Sequence, residues 1–221
     1  MKLNPSIRFA GPFVVFMLLL ALFRSITLPD IVSQSLFVGI MALTIYVLAR
    51  PVLTFKVHYL LPSLALGAFT FFLWIGPDLI SPAWRHLPIF DNSLLGHPES
   101  SLSQAAQANT LVLLIRSLRA AVIVPIVEEL FWRAWLMRWI ISPNFESIPL
   151  GKYAPMAFWI VAILFASEHG SYWDVGLATG ILWNWWMIRS KSLGDLILVH
   201  AVTNACLCAY VVLYGKWEYW L

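Results

Sequence analysis

The chain has 221 residues, of which 61% are hydrophobic and only 11% charged, with a formal net charge of +3. A soluble domain carries about 25% charged and about 45–50% apolar residues, and a chain of this size cannot bury so large an apolar excess. Composition therefore excludes an ordinary soluble fold and makes lipid the solvent. The basic residues lie scattered between apolar runs, which fits loops at an anionic membrane face and argues against nucleic acid as a partner.

A helix needs about 20 apolar residues to cross the hydrocarbon core. The candidates, in chain order, are 9–24, 31–49, 57–75, 119–140, 154–172, 175–189 and 193–214. They predict an all-α, polytopic transmembrane helix bundle of about seven to eight spans, forming a single domain over 1–221. The first run, Phe9–Phe23, follows Lys2 and Arg8 as in a secretion signal. The segment from Arg24 to Asp30 offers no small-x-small cleavage site, so the run is read as a retained span. None of the first three candidates contains an acidic residue.

Residues 76–110 are the longest polar stretch, with Pro77, Pro82, Pro88 and Pro98. They predict a connecting loop with a short interfacial helix around 100–109; a lid over a substrate entrance is the functional alternative. Lys2, Arg8, Arg50, Lys56, Arg138, Lys152, Arg189 and Lys191 would share one face, against Arg24, Arg85, Arg116, Arg119 and Lys216 on the other. Eight against five predicts a cytoplasmic N-terminus and, with seven spans, an external C-terminus. Cys206 and Cys208 are two apart in an apolar segment. On a helix they point in different directions, so they read as packing residues rather than a disulfide.

The fourth candidate contains Val124-Pro125-Ile126-Val127-Glu128-Glu129-Leu130-Phe131-Trp132-Arg133. Each charge at a helix centre costs roughly 2.5–3.5 kcal/mol on insertion scales, and such residues face a bundle interior or a water-filled cavity. Taking Arg119 and Arg138 as the ends gives about 28 Å of helix and puts Glu128 near mid-membrane. Glu129 and Arg133, four apart, can pair. Glu128 lies about 100° further round and is left as a water-activating base. An ion pair that merely staples helices would explain Glu129 and Arg133 but leave Glu128 without a partner.

The fifth candidate ends Phe165-Ala166-Ser167-Glu168-His169, and the seventh holds His200-Ala201-Val202-Thr203-Asn204. His200 and Asn204 stack on one helical face. A packing histidine and a polar pair gluing helices together are the plain readings of these two segments.

Glu-Glu-x-x-x-Arg, then Phe-x-x-x-His, then His-x-x-x-Asn, in that order on separate spans, resembles the CPBP (Abi) family of CAAX-processing and bacteriocin-processing intramembrane proteases. The match runs from Glu128 to Asn204, with the catalytic helices within 119–214. The resemblance implies that Glu128 and His169 hold and activate water, that Arg133 fixes Glu129 in support, and that His200 and Asn204 donate to the oxyanion. It implies a membrane-associated protein or peptide substrate, no cofactor or metal, and a multi-pass place in a bacterial inner membrane. Glu168 is outside the pattern and has no assigned role. The run from Phe131 to Trp139 is also similar to the exosortase-associated branch, although Trp135 and Trp139 fit an interfacial aromatic belt equally well.

Two other readings stand beside this one. A zinc protease could use His169, His200 and Glu128 or Glu129 as ligands, although His-Glu-x-x-His is absent from the chain. A transporter or scaffold could use the same polar cluster as a proton relay. One tension remains in the spacing. Counted from their span ends, Glu128, His169 and His200 lie at about 15, 24 and 10 Å from the cytoplasmic face, which a helix broken at Pro125 would help to reconcile.

Overall fold

The computed structural model describes residues 4–220, so Lys2 lies outside the described residues. Seven helices of thirteen residues or more follow one another among them: α1 Pro5–Ser25, α2 Asp30–Ala49, α3 Leu60–Ile80, α4 Thr110–Trp139, α5 Pro155–Ser167, α6 Trp173–Ser190 and α7 Leu193–Tyr214. The protein is an all-α membrane helix bundle. α1–α4 and α7 are long and apolar enough to cross a bilayer, and the outer faces of α1–α3 expose Leu18, Leu43, Leu61 and Phe72. α5 is shorter than the predicted 154–172. Its 13 residues make about 20 Å of helix, against a core of about 30 Å.

α4 is longer than predicted. Asn109 Oδ1 accepts from the Leu111 and Val112 amides at 3.1 and 3.3 Å, an N-cap that starts the helix at Thr110 rather than 119. Arg116 and Arg119 are therefore inside the helix, not at its end. Arg116 donates to Ser101 Oγ at 2.9 Å and lies over the Trp220 ring; Arg119 lies over Phe37, 4.6 Å from the ring centre. Arg116 is buried and Arg119 half-buried, so protein groups shelter both cations. The predicted break at Pro125 is also absent, and α4 runs through it. The turn before it, Arg119–Ile123, widens to π geometry, with the Val124 amide bonding to the Arg119 carbonyl five residues back. A wide turn relieves the clash that a proline ring makes with the preceding turn.

Two contacts fix α7, which carries the His200/Asn204 pair. Gly67 on α3 faces it so closely that a Cβ would come within 2.7 Å of the Val199 carbonyl oxygen, and Thr203 Oγ1 donates to the Gly67 carbonyl at 2.9 Å. At the other end, buried Asp195 in the first turn of α7 accepts from the His58 and Tyr59 amides at 2.9 and 2.6 Å and from Ser63 Oγ at 3.1 Å. One carboxylate thus caps α3 from a neighbouring helix. Asp195→Ala strands those donors, each at a cost of about 1–3 kcal/mol, so it is expected to lower the detergent melting temperature markedly. Wild-type melting would show that the cap contributes nothing.

The connection 81–109 contains two short helical turns, Trp84–His86 and Gln104–Gln107, the second of them where an interfacial helix was expected. Arg85 anchors this segment, bridging Asp78 at 3.0 Å and Asp174 at 2.5 Å across the ends of α3 and α6. Both cysteines are free thiols, and Cys208 packs with Leu102, Val112 and Trp220.

Candidate active site

Glu128 and Glu129 sit on α4 just beyond the wide turn and point different ways. Glu129 and Arg133 are fully buried and paired, with Arg133 NH1 donating to Glu129 Oε1 and Oε2 at 3.1 and 3.3 Å. The expected pair is present, and it belongs to a larger network. Arg133 Nε donates to Asn184 Oδ1 on α6 at 3.0 Å, and Asn184 Nδ2 is held by the Phe158 carbonyl on α5 at 2.8 Å. The guanidinium also lies 4.3 Å from the centre of the Phe165 ring. Three helices, α4, α5 and α6, therefore meet at Arg133.

Glu129 has a second partner that spacing did not suggest. His200 Nδ1 lies 2.8 Å from its Oε1, and the imidazole ring packs against Trp183 with centroids 4.3 Å apart. With the Glu129 carboxylate accepting from Nδ1, the other ring nitrogen, Nε2, remains for the cavity.

Glu128, by contrast, lines a cavity of about 240 Å³ together with Glu168, His169, His200 and Asn204. Its Oε2 is buried with no hydrogen-bond partner among the described residues. All the predicted site residues are thus brought together, either on this cavity or one contact behind it. The disagreement in depth came from counting each residue from its own helix end. Glu129 and His200 touch although one is ten residues from the end of α4 and the other seven from the start of α7, so those ends are not level.

His169 lies just past the end of α5. Its Nδ1 is 2.6 Å from the Phe165 carbonyl; a carbonyl only accepts, so Nδ1 carries the proton and Nε2 holds the lone pair. The four-residue spacing of Phe165 and His169 makes that bond, while the Phe165 ring supports Arg133. Glu168, unassigned from sequence, accepts from Trp132 Nε1 of α4 at 3.0 Å and adds a second carboxylate to the cavity.

Asn204 is anchored by an unusual acceptor. In the wide turn before Pro125, the next amide that could reach the Ala120 carbonyl is that of Pro125, and proline has none. Asn204 Nδ2 fills the place, donating to the Ala120 carbonyl at 2.8 Å. One hydrogen of the amide is thereby spent on positioning and the other is left for the cavity. Trp74, Arg116, Tyr172, Tyr219 and Trp220 complete the walls. None of these carries a local sequence signal. Buried Asn184, a lone amide in the apolar run 175–189, could have been singled out as interhelical glue.

Among the described residues no three His, Cys, Asp or Glu side chains are grouped as a metal ion requires. Residues 110–206 match the family model described as type II CAAX prenyl endopeptidase Rce1-like. No curated protein and no solved structure matches the chain significantly. The matched segment contains every element of the three motifs, and through it the chain is similar to the CAAX-protease (CPBP) family.

Proposed function

We propose that the protein is an intramembrane endopeptidase in which Glu128 activates water against a peptide bond of a membrane-associated substrate. The observation that carries this reading is the unpartnered Glu128 carboxylate oxygen in a cavity shared with two imidazoles and an amide. Glu128 takes a proton from water oriented by the His169 Nε2 lone pair, and the water oxygen bonds to the scissile carbonyl carbon. The carbonyl oxygen becomes an oxyanion facing the free Asn204 hydrogen and His200 Nε2. Glu129 stabilises the imidazolium form, in which Nε2 also donates. As the C–N bond breaks, the proton on Glu128 passes to the leaving amine.

Cleavage of a membrane-anchored reporter by the purified protein tests the proposal. Turnover is expected to survive strong chelators, since a carboxylate base requires no metal. Activity lost on chelation and restored specifically by zinc would favour the metalloprotease reading instead.

Pro125→Ala tests the Asn204 anchor. The substitution supplies an N–H that can claim the Ala120 carbonyl and release Asn204, while α4 gains a backbone bond. Turnover is expected to fall by up to the factor of about 10²–10³ that loss of one oxyanion donor costs, with melting temperature unchanged or raised. Unchanged turnover would mean that the Ala120 contact does not position Asn204 for catalysis.

A further inference from the structure

Away from the active site, at the end of the bundle where α4 leads into α5 and α6 into α7, a second cavity of about 510 Å³ opens between the segment Pro149–Tyr153 and the last turn of α6. Lys152, Arg189 and Lys191 line it, and no acidic residue does. None of the three forms an ion pair with a described residue. All three are exposed, and they line one cavity that has no carboxylate among its lining residues.

The backbone holds them there. Gly151, in the left-handed region at φ +71°, lies so close to α6 that a Cβ would fall 2.4 Å from the Met187 carbonyl oxygen and 3.0 Å from Lys191 Cγ. Lys191 itself ends α6 in the left-handed conformation at φ 54°, which directs its stem back toward the Pro149–Tyr153 segment. The carbonyls at a helix C-terminus carry partial negative charge, but three full cations outweigh it. The pocket is therefore built for an anion.

Its surroundings identify the kind of anion. Tyr153 and Trp185 line the pocket and are 53% and 48% exposed, the placement of aromatic residues at a membrane–water boundary. From the rim, Met156, Trp159 and Ile163 form an exposed apolar stripe along α5, spaced as one helix face. A soluble anion has no use for that stripe, whereas acyl chains do. We infer that this pocket binds the phosphate headgroup of an anionic phospholipid, with its acyl chains lying along α5. Basic pockets between helices are a recurring form of lipid recognition.

The test uses the full chain in neutral detergent, with phosphatidylglycerol or phosphatidylcholine added at equal mole fraction. Bound lipid per protein is read by native mass spectrometry, and thermal stability is read alongside it. Phosphatidylglycerol is expected to bind and raise the melting temperature, while phosphatidylcholine does not. Lys152→Gln/Arg189→Gln/Lys191→Asn is expected to weaken that binding at least tenfold; asparagine is chosen at 191 because it tolerates the left-handed backbone. Arg8→Gln/Arg24→Gln/Arg50→Gln, equal in charge change, is expected to bind as wild type, and so is Lys152→Arg/Arg189→Lys, which keeps the charges should the neutralised variant fold poorly. Equal loss in both neutralised variants would replace the pocket by diffuse surface charge. Undiminished binding in the first, or loss in the charge-keeping variant, would also overturn the proposal. Displacement of the lipid by millimolar inorganic phosphate or glycerol phosphate would make this a site for soluble anions.

Discussion

Glu128→Gln is expected to abolish measurable cleavage while leaving the protein folded. The substitution keeps the volume and one acceptor oxygen but removes the basic group that takes a proton from water. A general base contributes roughly 10²–10⁴ in rate, and the loss should reach at least that order. Little structural change should accompany it, because Glu128 Oε2 has no hydrogen-bond partner among the described residues to lose, and a neutral amide is easier to keep in a buried cavity than a carboxylate. The melting temperature should therefore hold or rise. This separates Glu128 from a structural carboxylate, whose removal costs stability. The measurement is cleavage rate beside detergent melting for the same preparation. A variant that cleaves at near wild-type rate would remove Glu128 from the mechanism, leaving Glu168, the other carboxylate on the cavity, as the next candidate base.

The adjacent glutamates Glu128 and Glu129 were legible in the sequence to different depths. Whatever depends on local spacing was legible. Glu129 and Arg133 had to share a helix face, and they pair; Glu128 had to point elsewhere, and it lines the cavity. Phe165 and His169, four apart, are joined through the Phe165 carbonyl. Contacts across the chain were not legible, since the Glu129–His200 bond links residues 71 apart and nothing in either segment names the other. Charge misled the reading of α4. Arg116 and Arg119 looked like the end of a span because cations are costly in lipid, but here they are sheltered by Ser101, Trp220 and Phe37. Pro125 misled for a related reason. The rule that proline breaks a helix assumes a regular preceding turn, and the wide turn at Arg119–Ile123 keeps α4 continuous while freeing the carbonyl that Asn204 uses.

Arg133→Ala is expected to damage stability and activity together, and the double variant Glu129→Gln/Arg133→Met to separate them. Arg133 and Glu129 are both fully buried, and breaking such a pair by removing one partner costs about 3–5 kcal/mol. The single variant also strips the donor from Asn184 Oδ1 and the cation from above Phe165, so the meeting point of α4, α5 and α6 loosens. Its melting temperature should fall sharply. Replacing both members leaves no unpaired charge. Methionine restores most of the lost volume, and glutamine still offers an oxygen to His200 Nδ1. Exchange of a buried ion pair for well-packed neutral groups is often neutral or stabilising, so melting should recover much of the loss. Cleavage should not recover, because a neutral glutamine no longer stabilises the imidazolium of His200 that donates to the oxyanion. If Arg133→Ala melts like wild type, the pair is not the structural keystone its burial implies. If the double variant regains full turnover along with its stability, Glu129 serves only to balance Arg133, and the Glu129–His200 contact plays no part in catalysis.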